Sequence, residues 1–208
     1  MTDQTSAIFA PLVGKGFIQV DGEEAAPFLQ TILTANINKI AADGCSPGAL
    51  LTPQGRVLHD MMIYSCTAGT DTRSHFIIEA DETGLADLFT RLRRYRLRRS
   101  VSLQIVEDIT TWLCWGAPID IKSVYHDPRH HSLGYRWLGK HDTAPPFTAI
   151  ATSGEITEWH ALRISAGVPE GPIDLIPERA LMLEAGLDRL GAVDFEKGCY
   201  IGQEVTAR

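Results

Sequence analysis

Several common patterns are missing from this chain. Its four cysteines, Cys45, Cys66, Cys114 and Cys199, contain no Cys-x-x-Cys pair. The spacing therefore encodes neither a disulfide framework nor a zinc ligand set, and it suits a reducing compartment. No window approaches the roughly 20 apolar residues of a membrane span. Positive charge is in deficit: 19 Lys and Arg stand against 26 Asp and Glu, for a net charge of −7 and a pI near 5.5. That balance argues against a nucleic acid or an anionic membrane as the main partner. The opening Met1-Thr2-Asp3-Gln4-Thr5 lacks basic residues and any following apolar stretch of signal-peptide length. It is also not Arg-rich like a mitochondrial presequence, so a bacterial-type cytoplasmic protein is expected.

What is present suffices for a core: 208 residues, 44% hydrophobic, fit one large domain or two small ones. Ile8 to Val20 reads as two strands broken at Gly14–Gly16. A helix comes next, with Asp21 as a candidate cap and Phe28, Leu29, Ile32 and Leu33 on one face. Pro53-Gln54-Gly55 joins Gly48–Thr52 to Arg56–Tyr64 as a hairpin. A strand at His75–Ala80 precedes a helix running to about Leu97. Strands are expected at Val101–Val106, Thr110–Trp115, Leu133–Leu138 and Phe147–Thr152, then a helix over Glu155–Ala166 and a proline-rich loop. Strand-strand-helix groups occurring twice indicate an α+β fold with antiparallel sheets.

The densest chemistry lies in Lys197-Gly-Cys-Tyr-Ile-Gly-Gln-Glu204. Gly198 and Gly202 permit a sharp turn or a close approach around Cys199, and the run from Gln203 to Arg208 could begin a helix. A helix start and Lys197 would both favour a Cys199 thiolate, the form needed for nucleophilic or metal chemistry. The alternative is a small buried apolar side chain.

In Val57–Tyr64, strict alternation places Val57, His59, Met61 and Ile63 on one face and Leu58, Asp60, Met62 and Tyr64 on the other. Asp60 among apolar neighbours needs either a structural partner or a ligand. Glu184, interrupting Ala180–Gly186, either grips a ring bearing N–H donors or occupies an exposed helix position. The run Arg91-Leu-Arg-Arg-Tyr-Arg-Leu-Arg-Arg99 holds six of the fourteen arginines. It is either a surface for a polyanion such as a polyglutamate tail, a phosphate or RNA, or a solvated face complementing a helix C-terminus. His126, His130 and His131 lie near Asp127 in a Pro-rich loop, where solvated histidines are commoner than metal ligands. Trp112 and Trp115 read as core.

The octapeptide at Lys197 resembles the signature of the folate-binding YgfZ-type iron–sulfur cluster assembly factors, relatives of the glycine cleavage T-protein. Phe28-Leu-Gln-Thr-Ile-Leu-Thr34 resembles their first helix and Thr52-Pro-Gln-Gly-Arg-Val-Leu-His-Asp60 their first hairpin. Tyr95–Arg99 and Gly167-Val-Pro-Glu-Gly171 fit the mitochondrial-type branch. The resemblance implies a T-protein-like α+β fold of interleaved subdomains, 1–46 with 154–208 around an inserted 47–153. It also implies that the family's C-terminal β-barrel lies beyond this chain.

By position, Asp60 matches one of the aspartates in the folate pocket, Glu184 matches the pterin-contacting glutamate, and Cys199 is the signature cysteine; Lys197 and Tyr200 complete the cofactor-binding set. The function implied by the resemblance is that of a tetrahydrofolate-binding accessory factor, the folate polyglutamylated or not, for assembly or repair of [4Fe–4S] clusters. Such a factor would hold a cluster transiently, with A-type iron–sulfur carrier or scaffold proteins as partners, in the bacterial cytoplasm or the mitochondrial matrix of a eukaryote. The aminomethyltransferases tend to carry Asp-Phe where this chain has Cys199-Tyr200, and a second aspartate where it has His59. A folate-dependent one-carbon transferase is the enzymatic alternative.

Overall fold

The computed structural model describes residues 6–42, 44–66 and 75–206. The opening Met1–Thr5 and the closing Ala207–Arg208 lie outside the described residues. The chain runs β1 (Ala7–Leu12), β2 (Lys15–Asp21), α1 (Ala25–Ile32), β3 (Cys45–Leu51), β4 (Val57–Cys66), β5 (His75–Asp81) and α2 (Leu85–Arg96). It continues through β6 (Ser102–Val106), β7 (Ile109–Trp115), β8 (Tyr125–His126), β9 (Tyr135–Lys140), β10 (Ala151–Ser153), α3 (Ile156–Ser165), α4 (Gly171–Asp174) and α5 (Gln203–Thr206). The α+β character rests on two five-stranded sheets, β10-β1-β7-β9-β8 and β3-β4-β5-β2-β6.

Contacts divide the chain into two compact units, each made from separated stretches: residues 1–15 with 108–168, and 16–107 with 169–208. The sequence places its boundaries near 46 and 153 instead. Pairing accounts for the difference, because β2 sits in one sheet with the β3–β4 hairpin, so no cut can fall between them.

In the first unit β1 pairs antiparallel with β7 and parallel with β10. Its core is aromatic: Phe9 lies 5.8 Å from the Trp112 ring and 5.5 Å from Phe147. Helix α3 contributes the fully buried Trp159, whose indole N–H donates to the Leu133 carbonyl at 3.2 Å. Ile156 and Leu162 of the same helix are half-buried, and Ile164 is 65% exposed. A carboxylate that the sequence does not single out sits here too. Asp127 accepts from Arg129 at 2.7 Å and Arg136 at 2.9 Å, all three side chains being buried.

In the second unit the β3–β4 hairpin forms as expected, closed by Gly55 N–H donating to the Thr52 carbonyl at 2.9 Å. One face of the sheet carries Ile18, Leu50, Leu58, Met61, Ile63 and Ile78 against Phe28 and Leu29 of α1 and Leu88 and Leu92 of α2. Helix α1 starts after Glu24; Asp21 belongs to β2 and bonds Gln19 and His75 instead of capping. On the opposite face Ala49, Leu51 and Val57 pack with Leu175, Met182, Leu187, Val193 and Tyr200 from the C-terminal segment.

Strict alternation fails in β4 for a local reason. Leu50 faces His59 while Leu51 faces Val57, so Leu58 is the extra residue of a β-bulge. Leu58 therefore joins Met61 and Ile63 in one layer, and Val57 goes to the other.

Candidate functional site

Beside the bulge, His59 and Asp60 line a cavity of about 170 Å³ together with Leu58, Asp81, Thr83, Gly84, Pro172, Leu175 and Pro177. Its polar groups come from adjacent strands: Met61 of β4 pairs with Ala80 of β5, which sets Asp60 beside Asp81. Asp60 accepts from the Gly171 backbone N–H at 3.0 Å, at the start of α4. Asp81 caps the turn into α2, accepting from the Thr83 N–H at 3.0 Å and its hydroxyl at 2.5 Å.

His59 is turned toward α2, where Nε2 bonds the Asp87 carboxylate at 2.8 Å. Burial pushes the Asp87 carboxyl up, but hydrogen bonds and charge from Arg91 and His59 outweigh it and hold the group below the usual range. Gly84 makes room for the ring, since a Cβ there would stand 2.9 Å from His59 Nδ1. The second carboxylate of the site is thus Asp81, the last residue of β5. Only the pairing of β4 with β5 brings it to Asp60.

The signature loop is built differently. Thr34, fully buried at the end of α1, donates to the Ala192 carbonyl at 2.6 Å and accepts from the Ala49 N–H at 2.8 Å. Asp194 accepts from Asn36 at 2.9 Å and Lys39 at 2.7 Å, and the Lys39 hydrogen bond leads the causes holding its carboxyl at about 2. Gln30 donates to the Lys197 carbonyl at 3.2 Å. Lys197 Nζ donates to the carbonyls of Leu33 at 2.5 Å and Ala35 at 2.6 Å, and lies 5.4 Å from the centre of the Tyr200 ring. Burial pushes this ammonium down to about 8, with the Asp194 charge opposing.

At the far end, Gly202 has φ +84°, and a Cβ there would meet the Thr52 carbonyl oxygen at 2.5 Å; no other residue fits that approach. Between these anchors Cys199 is exposed. Alongside the loop runs an open groove of about 680 Å³ whose lining includes Asn36, Lys39, Cys45, Asp194, Phe195 and Glu196.

From the sequence, Lys197 and a helix start are expected to act on the sulfur. In the structure the ammonium is engaged by two carbonyls. Lys197 fastens the loop. Tyr200 is buried, and its hydroxyl has no hydrogen-bond partner among the described residues. Glu184 is exposed in the turn region after Leu181 and does not line the Asp60 cavity. The structure therefore groups Asp60 with Asp81, and Lys197 with Cys199 and Tyr200, while Glu184 joins neither. Leu175 connects the two groups, lining the cavity and sharing an apolar cluster with Tyr200. Sequence reasoning missed Gln30, Thr34 and Asp194; the signal for the first two was the Phe28–Thr34 stretch, whose polar positions Gln30 and Thr34 hold the Lys197 and Ala192 carbonyls. Among the described residues no group of three His, Cys, Asp or Glu side chains could hold a metal ion, and no helix is long and apolar enough to cross a membrane.

The fold is that of an aminomethyltransferase. The glycine cleavage system aminomethyltransferase T of Bartonella henselae superposes with a TM-score of 0.72 at 13% identity, over 98% of this chain and 63% of that one. No family model matches the chain. Among curated proteins it is 38% identical, over 98% of its length, to the mitochondrial iron–sulfur cluster assembly factor IBA57 homolog of Pyricularia oryzae, of which it spans 54%. It is 34% identical to the human and 32% identical to the mouse mitochondrial iron–sulfur cluster assembly factor IBA57, spanning 61% of each. The chain is a homologue of the IBA57 proteins, and it spans about half to three-fifths of their length.

Proposed function

We propose that this chain works in the assembly of iron–sulfur clusters, as its relatives' names state for them, with Cys199 as the group that meets the cluster. The observation that carries the reading is the exposed thiol in a loop anchored on both sides. A sulfur held in the open on a fixed backbone suits ligand exchange with a partner. Cys199 gives its proton to solvent and takes one iron position while a donor thiolate leaves and is protonated. A cluster normally takes four thiolates, so one cysteine holds it jointly with a partner's ligands. Carrier or scaffold proteins of the A type are the partners proposed, and the place of action is the bacterial cytoplasm or, in a eukaryote, the mitochondrial matrix.

Tetrahydrofolate is proposed for the Asp60 cavity. The donor set fits in kind: Asp60 and Asp81 offer carboxylate acceptors for the amino and ring N–H groups of a pterin, between walls of Leu58, Leu175, Pro172 and Pro177. At about 170 Å³ the cavity is below the roughly 300–1,000 Å³ usual for a drug-sized ligand. It can take a ring and leaves the glutamate end outside.

The fold also favours a second reading, a folate-dependent one-carbon transferase. Full-length protein separates the two. Loss of cluster-enzyme recovery in cells with Cys199→Ala, retained with Asp60→Asn, supports assembly. Transfer of a one-carbon unit to tetrahydrofolate, abolished by Asp60→Asn, supports the transferase. Calorimetry with tetrahydrofolate should show binding that Asp60→Asn weakens at least tenfold; wild-type protein giving no heat removes folate from the account.

A further inference from the structure

Apart from Arg91, which pairs with Asp87 beside His59, the arginine run takes no part in either site. Helix α2 ends at Arg96, and Leu97 comes next with φ 52° and ψ −113°, a sparsely populated conformation for a residue with a side chain. The turn is held firmly in it. Glu24 accepts from the Ser100 N–H at 2.6 Å, Arg96 donates to the Val101 carbonyl at 3.2 Å, and Arg99 N–H donates to the Arg96 carbonyl at 3.0 Å. Gly22 allows the close contact on the other side, since a Cβ there would stand 2.3 Å from the Ser100 oxygen. The outcome is a leucine 81% exposed at the tip of a fixed turn, beside a shallow concavity of about 690 Å³ lined by Glu24, Leu97, Arg98 and Arg99.

Around it the guanidiniums divide into two sets. Arg91 is paired with Asp87 at 2.6 Å, and Arg99 lies over the Phe28 ring. Arg94 and Arg98 are exposed, as is Arg93, whose guanidinium lies 5.8 Å from the centre of the Phe89 ring, and among the described residues no carboxylate pairs with these three.

We infer that this turn is a docking surface for an acidic protein segment that presents carboxylates around an apolar notch for Leu97. Charge complementarity selects the occupant. On a chain of net charge −7 the arginines form a local patch of the opposite sign, which steers a compact acidic surface to this face. Arginine forks bind carboxylates in bidentate fashion. A single-stranded nucleic acid would want exposed rings to stack on, and the neighbouring Phe89 and Tyr95 are packed against the core. The inference is independent of the folate and cluster readings.

The test is fluorescence anisotropy on full-length protein with three labelled probes: a 15-residue peptide of glutamates around a central leucine pair, the same peptide with serine for leucine, and a uridine 12-mer. The surface predicts that the leucine peptide binds best, with affinity falling steeply in salt. The double variant R94Q/R98Q should weaken it at least tenfold, and Leu97→Ser about fivefold with the salt dependence unchanged. All these positions are exposed, and an unchanged melting temperature shows that the variants fold. Three results overturn the inference: no binding of the leucine peptide, equal binding of the leucine and serine peptides (as a bare polyglutamate chain would give), or tighter binding of the uridine oligomer.

Discussion

The first unit encloses a carboxylate between two arginines, one of them over the Trp159 ring, whereas the second keeps its carboxylates at the edge of a cavity and its half-buried ammonium on backbone oxygens. Asp127, Arg129 and Arg136 satisfy one another and present nothing outward. Asp60 and Asp81 are held by a backbone N–H and a capping turn, and they line a cavity. Lys197 secures a loop that exposes a thiol. Similar residue types thus serve stability in one unit and presentation in the other, and the side chains of the proposed chemistry all lie in the second.

The largest effect that would break this contrast is expected at Asp127. Replacing it with alanine removes the carboxylate that two buried guanidiniums share and should cost about 3–5 kcal/mol, read by urea denaturation followed through tryptophan fluorescence. A loss below about 1 kcal/mol, the range of exposed pairs, would show that the cluster is solvated and the contrast false.

Acid and base should also act on the units differently. Burial raises the Asp127 carboxyl, but Arg129 and Arg136 together hold it at about 2, below the roughly 3.9 of an unfolded aspartate. Its stabilisation is present above pH ~4 and is lost as pH falls toward 2. Lys197 runs the other way: burial depresses it to about 8 from 10.5, so the unfolded chain binds more protons between these values and stability rises over that interval. Against the wild-type stability curve, Asp127→Asn should lose the acid slope and Lys197→Met the alkaline one; a variant that keeps its slope refutes the assignment.

Next in size is Lys197→Met at neutral pH. It removes the donor to the Leu33 and Ala35 carbonyls and should cost about 1–3 kcal/mol. The loop around Cys199 should then loosen, seen as faster amide exchange at Gly198 and Cys199. Unchanged exchange would mean that Lys197 is not the fastener.

The hairpin and the two helices facing the second sheet were legible in the sequence, because turn residues and apolar spacing act locally. The geometry of the site was not. One extra residue, Leu58, shifts the phase of β4 in a way periodicity cannot register. Asp81 becomes a neighbour of Asp60 through strand pairing about twenty residues away in sequence. The two-unit division was hidden for the same reason, since β2 joins strands from the middle of the chain. The bonds of Lys197 to the Leu33 and Ala35 carbonyls were not legible either, because proximity to Cys199 along the chain says nothing about where its flexible side chain points.

The smallest effect is expected at Tyr200. Its hydroxyl is buried without a partner among the described residues, so Tyr200→Phe should be neutral or slightly stabilising and leave tetrahydrofolate binding unaltered by calorimetry. A fall in affinity would place the hydroxyl in the ligand site after all.

The thiols sharpen the comparison further. Burial raises Cys114 in the first unit to about 11, while Cys199 is exposed. Iodoacetamide at neutral pH should label Cys199 in the native protein and reach Cys114 only after unfolding. The most direct test of the account is to express the full-length protein, wild type and Cys199→Ser, in cells lacking their own copy and to measure the activity of a [4Fe–4S] enzyme. Loss of recovery with Cys199→Ser, at equal protein level and melting temperature, is the predicted result; recovery equal to wild type would contradict it.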